Sequence, residues 1–561
     1  MKTASRMSVL PLLALLRCSS SSPAATSPAF VAPPASVVVD DGSAVKIRRE
    51  AFVIDGFKAP PNPKTGAVTP PELNRVRVVR YRVDADPPRP ARAVFIMMPG
   101  FLGGAGSLDG AARAMVRRST ATDAIEAWAI DRRSNLLEDT HGLDVAEVTR
   151  DASQATSYYF DGATVAGKSF EGFHSGSADT YASEWGLATT IGDLQAIVAL
   201  VPAAARASRI VLLGHSLGGA IVEEYAAWDF GGLAGARNLA GLVLVDGVAG
   251  GEGAAQPAMD ENAYANGAPQ SAGAFGPQPG VETDIRGGSV FTTLPFLGTK
   301  AYVVSEYVSI LARTAPDAVA VDATRDGLLS VLLGQSPMPK LTNRAAFGFA
   351  FDVKSCGLQI AAISCGEGKA GAITEYDSVL GGKLSHPSDV SATYAWTAFD
   401  QTSPHENTSI DDAARAWYEG PGLNFAEWYF PQRLSIDAQA ARTLNAKPGD
   451  WRVDKYGLLA SRGSEIDVPI FAVGSVVAAS ASAYDGIKAF AGPIGPGRPQ
   501  AGKPRTDPDA FSTLILPTLT HIDWVVGTDA SGSPVGRYYD ALYAFAMKST
   551  PAGGVTVAVT K

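Results

Sequence analysis

The sequence predicts an α/β protein whose central sheet is mostly parallel, and three observations carry that expectation. Residues 93–98, 124–130, 210–213 and 241–245 are short, continuous apolar runs, without the alternation of a strand that has one wet face. Such runs suit strands covered on both sides. Helical stretches at 110–118 and 191–200 fall between them, so strand and helix alternate along the chain. Gly214-His215-Ser216-Leu217-Gly218 then joins a β-branched run to a good helix beginning Gly219-Ala220-Ile221. A serine between glycines at a strand-to-helix turn is the nucleophile elbow. The glycines permit close backbone approach, and the helix start favours developing negative charge.

Composition narrows the class. Of 561 residues, 46% are apolar and 18% charged, which gives a large core and a fairly neutral surface. The net charge of −9 is spread without a basic stripe, and this excludes nucleic acid as a partner. Glycine and proline make up about one residue in six, so loops are many.

The first 18 residues read as an export signal. Lys2 and Arg6 supply positive charge, and residues 9–16 form an apolar core too short to remain as a membrane span. Cys18 resembles the lipid-modified cysteine of bacterial lipoproteins, although Arg17 stands where a small residue is usual. Cleavage within 19–29 and simple secretion is the equal alternative. The expected location is therefore periplasmic, cell-surface as a lipoprotein, or secreted. Residues 19–45 read as a Ser/Pro/Ala tether, of low complexity and disordered through residue 35.

Beyond the tether, 46–54 and 75–83 alternate or are β-branched and read as a hairpin with a long proline-rich connection. The first part of the core spans 46–247, with an excursion at 132–180 that carries Tyr158-Tyr159-Phe160. Strands at 468–473 and 511–516 open and continue the second part, 468–561. Between the two parts lie about 220 residues, 248–467, far more than a loop needs, so this insertion must fold over something. Both excursions leave from strand C-terminal ends, where α/β sheets keep their sites, and the insertion is read as a cap or lid. Cys356 and Cys365 lie nine positions apart and are a disulfide candidate in an exported chain.

This order of elements resembles the α/β-hydrolase superfamily, in particular its esterase- and lipase-like serine hydrolases. The resemblance implies Ser216, after the fifth strand of the family's count, as nucleophile. It implies a loop after the third strand, here Pro99-Gly100-Phe101-Leu102-Gly103-Gly104, whose Phe101 N–H joins that of Leu217 in an oxyanion hole. The family's base lies in a loop after the last strand, where Thr520-His521-Ile522-Asp523 stands. His215 sits inside the elbow with its side chain turned from the attacking side, and His141, His174, His386 and His405 belong to the excursions. Most members carry the acid after the seventh strand, yet 474–480 holds no carboxylate before Asp485. A variant places it after the sixth, where Asp246 stands. Asp246 is preferred and Asp485 is the alternative acid.

Asp131-Arg132-Arg133 after the fourth strand reads as scaffold, with Arg133 tying neighbouring loops. Trp396, Trp417, Trp428, Tyr429 and Phe430 read as the insertion's own core. The implied activity is hydrolysis of a small-molecule or lipid-like carboxylic ester without metal or organic cofactor. The same triad also serves amidases, peptidases and acyltransferases, and a non-catalytic binding protein of this fold is a further alternative. Oligomeric state stays open.

Overall fold

The structure is a computed structural model. It describes residues 35–558 except 40–41, 248–249, 251–258, 269–277, 293–297, 321–338, 378–382 and 421–422. The export signal, Cys18 and the tether up to residue 34 lie outside the described residues.

The first strands in the chain are β1 (Ser36–Val39), β2 (Ile47–Asp55), β3 (Arg75–Val83), β4 (Ala91–Met98), β5 (Ala124–Asp131), β6 (Ile210–His215) and β7 (Gly241–Val245). The insertion contributes β8 (Lys340–Leu341), β9 (Gly366–Lys369), β10 (Ile373–Asp377), β11 (Lys383–Pro387) and β12 (Thr393–Ala398). The last two are β13 (Ile470–Gly474) and β14 (Phe511–Ile515). Nine of them make one sheet in the order β1-β2-β3-β5-β4-β6-β7-β13-β14. From β5 to β14 every neighbouring pair is parallel, and β1, β2 and β3 add an antiparallel edge.

Side-chain alternation divides two buried layers. Phe95 and Met97 of β4, Val211 and Leu213 of β6 and Val243 and Val245 of β7 join one cluster. Val94 and Ile96, Ile210 and Leu212, and Leu242 and Leu244 join the cluster on the other face. This is why these strands read as unbroken apolar runs. Helices Asp109–Arg117, Leu187–Ala199 and Leu217–Ala227 form close to where the sequence places them.

Two expectations are corrected here. The tether does not run to residue 45: Val37, Val38 and Val39 pair antiparallel with Arg49, Arg48 and Ile47, because three β-branched residues beside an open edge outweigh the polar composition around them. The elbow therefore follows the sixth strand of this chain, and the expected count holds from β2 onward. Cys356 and Cys365 are free thiols rather than a disulfide. The Cys356 Sγ donates to the Leu358 carbonyl at 3.4 Å, and the Cys365 Sγ to Asp352 Oδ2 at 3.6 Å, so two local acceptors hold the groups apart.

The insertion holds helices Lys300–Thr314, Asn343–Phe351, Ile410–Trp417 and Gln432–Ala441, a sheet of β8, β12 and β9, and the pair β10 and β11. Bridges Gly103 to Ala426 and Trp228 to Ala460 stitch it to loops of the core. Trp396, Trp417, Trp428, Tyr429 and Phe430 are buried, consistent with a packing role.

Candidate active site

Strand order reverses at β4, which has β5 on one side and β6 on the other, and loops leaving such a switch point diverge around a crevice. Register sets what meets there. Met98 pairs with Gly214, His215 with Val245, Val245 with Val473, and Gly474 with Ile515. The strands thus end level, and the residues just beyond them, among them Ser216, Asp246 and Ser475, share one edge.

Ser216 has φ 55° and ψ −125°, the strained left-handed conformation of a nucleophile elbow. Its N–H donates to the Val245 carbonyl at 2.8 Å, which pins the turn to the neighbouring strand. Gly218 lies against the carbonyls of Met98 and Pro99, and any Cβ there would collide with them. Leu217 opens the helix that follows, so its amide is one of the donors a helix leaves without an internal partner. The Ser216 hydroxyl makes no hydrogen bond among the described residues.

Asp246 and His521 meet as predicted. The His521 Nδ1 and Asp246 Oδ2 are 2.7 Å apart, and both side chains are buried. The carboxylate has further donors: the N–H groups of Ser475 at 2.8 Å, Ala478 at 3.0 Å and Val477 at 3.4 Å, and the Ser475 hydroxyl at 3.2 Å. Burial pushes its pKa up, but the His521 interaction and these amides outweigh burial and hold the carboxyl well below the usual range. The loop after β13 thus brings no carboxylate of its own before Asp485 and wraps Asp246 instead. Asp485, the alternative acid, is exposed at the start of helix Asp485–Phe490 and forms no pair with His521.

His215 does more than sequence reasoning gave it. Its Nε2 lies 2.9 Å from the His521 backbone carbonyl, and the two rings stand 4.6 Å apart. Burial and the neighbouring His521 pull its pKa down to about 3, so it is a neutral donor that fixes the backbone carrying His521. Asp523 orders the same loop by accepting from Thr520 N–H and the Thr408 hydroxyl.

The contacts of Arg132 are more specific than a scaffold role requires. Its Nη2 donates to the carbonyls of Pro99 at 2.6 Å and Gly100 at 2.8 Å. A trans peptide aims its N–H opposite its C=O, so holding the Gly100 carbonyl turns the Phe101 N–H away from Arg132. On the other side, a Cβ on Gly100 would stand 2.8 Å from the Ser216 Cβ. Glu427 of the insertion, bonded also to the Ser134 hydroxyl, balances the Arg132 charge. Arg133 ties loops as expected, bridging Asp193, Asn74 and the Phe57 carbonyl.

A cavity of about 250 Å³ opens over Ser216 and Leu217. Ile360, Ala438, Gln439, Arg442 and Leu444 of the insertion line it together with the helix behind the elbow.

No family model and no curated protein matches the sequence. Solved structures of similar outline include a putative lipase from Sulfolobus solfataricus, with 13% identity and a TM-score of 0.40, over 91% of this chain and 99% of that one. The peroxisomal α/β-hydrolase Lpx1 of Saccharomyces cerevisiae follows at 9% identity and TM-score 0.35, over 92% and 93%. A protein that recognises and ring-cleaves the Pseudomonas quinolone signal gives 14% identity and TM-score 0.27, over 84% and 96%. The chain's own strand order, its reversal at β4 and the elbow after β6 give it the fold of the α/β-hydrolase superfamily.

Proposed function

We propose that this chain is a serine hydrolase of carboxylic esters. The observation that carries the reading is the bond between Asp246 and His521 at the strand ends, beside a serine held at positive φ. In this mechanism the Ser216 Oγ attacks the ester carbonyl and His521 Nε2 takes its proton. Asp246 fixes the tautomer with Nδ1 protonated and steadies the imidazolium. The N–H groups of Phe101 and Leu217 bind the tetrahedral oxyanion, each worth about 3 kcal/mol of barrier. His521 then returns the proton to the leaving alcohol, and water repeats the sequence on the acyl-enzyme. Bonds between nucleophile and base commonly tighten only when substrate is bound, which accommodates the unengaged Ser216 hydroxyl.

The insertion serves in this reading as a cap, since its residues roof the cavity over the nucleophile. Export belongs to the same proposal and rests on Lys2, Arg6 and the apolar run 9–16. The test is labelling with a fluorophosphonate. Wild type and Asp485→Asn should label alike, Asp246→Asn far more slowly, and Ser216→Ala not at all. A wild-type protein that fails to label under conditions where the probe enters the cavity would overturn the hydrolase reading.

A further inference from the structure

The core does not build the oxyanion loop alone. Residues 424–427 of the insertion run antiparallel beside 102–106, with Gly103 bridged to Ala426. The Glu427 N–H donates to the Leu102 carbonyl at 2.9 Å, the Gly104 N–H to the Phe425 carbonyl at 2.6 Å, and the Gly106 N–H to the Asn424 carbonyl at 3.0 Å. Leu102 stands at φ 58°, a conformation that residues other than glycine keep only when their surroundings hold them in it. The Glu427 amide is one such hold. The two segments approach so closely that a Cβ on Gly106 would stand 2.5 Å from the Asn424 carbonyl carbon.

The Glu427 side chain carries the same support to the other end of the loop. Its carboxylate accepts from Arg132 Nη1 and from the Ser134 hydroxyl, and both Glu427 and Arg132 are buried. Arg132 in turn donates to the Pro99 and Gly100 carbonyls, and to that of Gly103 at 3.1 Å. A buried guanidinium is oriented by its acceptors, and Glu427 is the one carboxylate that Arg132 pairs with among the described residues. Phe430 closes the arrangement from the insertion's side. Its ring meets Phe101 edge-on with centroids 4.7 Å apart, and it lies 5.3 Å from the Arg132 guanidinium.

We propose that Glu427 is a positioning residue for the oxyanion hole, acting through Arg132 on the Gly100–Phe101 peptide. Residues 424–430 are then a fixed part of the active site rather than of a movable roof. The part played in catalysis rests on the hydrolase reading, whereas the seam between insertion and loop does not.

Glu427→Gln tests this, because it keeps the shape of the side chain and an acceptor for Arg132 but removes the carboxylate that holds the fork. On a p-nitrophenyl ester kcat should fall about tenfold or more, with KM little changed. Binding of an alkyl trifluoromethyl ketone, whose adduct with Ser216 places an oxyanion in the hole, should weaken by a similar factor. In an Arg132→Lys background the same change should add less than about threefold, because the carbonyls are already released. A kcat within about twofold of wild type, a loss confined to KM, or losses that multiply in the double variant would overturn the positioning role. A thermal melt shows whether the variant is folded under assay. Glu427→Asp, one carbon shorter and still charged, serves if it is not, with the same split between kcat and KM expected.

Hydrogen exchange over 100–106 supplies a readout that needs no turnover. Slow exchange in wild type and faster exchange in Glu427→Gln, in a protein that neither labels nor cleaves an ester, would keep the seam and discard the hydrolase. Labelling and turnover, with kcat and exchange both unmoved by Glu427→Gln, would do the reverse.

Discussion

Two buried carboxyl settings lie within one site and differ in how they are supplied with donors. At the strand ends, Asp246 accepts from His521, from three backbone amides and from the Ser475 hydroxyl, and it stays ionised. On the helix wall, Glu223 and Glu224 are equally buried and near Arg442. Among the described residues only Glu223 accepts an amide N–H, that of Gly250, and the pKa values of both are raised. Burial works in the same direction on all three. Donors decide the outcome, so a carboxylate meant to be charged throughout must be surrounded before substrate arrives.

The largest break in this contrast comes from removing the charge that is fully provided for. Asp246→Asn keeps the shape but leaves an amide facing the Nδ1 of His521, favouring the wrong tautomer. We expect kcat to fall by about 10⁴-fold with KM little changed, while Asp485→Asn behaves as wild type. Steady-state kinetics on a p-nitrophenyl ester checks both. Equal losses from the two variants would mean that the supply of donors around Asp246 has no bearing on catalysis.

A smaller loss is expected from the loop opposite. Arg132→Lys retains a positive charge for Glu427 but gives up the planar fork that holds two carbonyls at once. The Gly100–Phe101 peptide is then free to rotate, and kcat should drop between about tenfold and 10³-fold, within the range of a lost oxyanion donor. Thermal unfolding run alongside separates this from a folding defect, because the charge opposite buried Glu427 is preserved.

Much of the provided setting was legible in the sequence, and little of the open one was. Asp246 follows an apolar run directly, Ser216 follows one after two intervening residues and His521 stands in the short loop beyond one, and the end of a buried strand is a local signal. The preference for Asp246 over Asp485 came from the lack of a carboxylate in 474–480, whereas the wrapping of the loop after β13 around Asp246 depends on the pairing of Val245 with Val473, which only register reveals. The small residues Ser475 and Ala478, which leave their amides accessible, were the available hint. Glu223 and Glu224 were also in view, two carboxylates side by side in an otherwise apolar helix behind the nucleophile. Their surroundings are built by residues of the insertion as distant in the chain as Arg442, and no local pattern carries that. The hold of Arg132 on Pro99 and Gly100 is hidden for the same reason. The thiols misled because spacing along the chain says nothing about the direction in which each side chain points.

The open setting makes a prediction about pH. Burial pushes the Glu223 carboxyl up to about 8, against the pull of the Gly250 N–H and Arg442, whereas an ordinary glutamate titrates near 4.5. Between those values the folded chain holds a proton that the unfolded chain has lost. Stability from this group is therefore complete below about 4.5, declines as pH rises, and levels off above about 8. Asp246 has the opposite sign and loses its contribution only on the acid side of the ordinary carboxylate range. Glu223→Gln should melt like wild type at pH 5 and a few degrees higher at pH 8. A difference that is flat with pH would place Glu223 among the satisfied carboxyls.

A fourth carboxyl lies between the two extremes and yields the smallest effect. Asp352 is buried and accepts from the N–H groups of Lys354 and Cys365 and from the Cys365 thiol, and its pKa rises to about 7 under burial and the nearby Glu406. With amides and a thiol around it, Asp352 is better supplied than Glu224 and less so than Asp246. Cys365 is needed there as a thiol, because a disulfide to Cys356 would remove the S–H that Asp352 accepts. Burial keeps both thiols protonated and therefore unreactive, that of Cys356 with its pKa pushed up to about 12. Addition of dithiothreitol should leave the melting temperature unchanged, and a thiol reagent should react at Cys365 only once the chain unfolds. A fall of several degrees on reduction would restore the disulfide, and would leave Asp352 short of one donor, closer to the open glutamates than to Asp246.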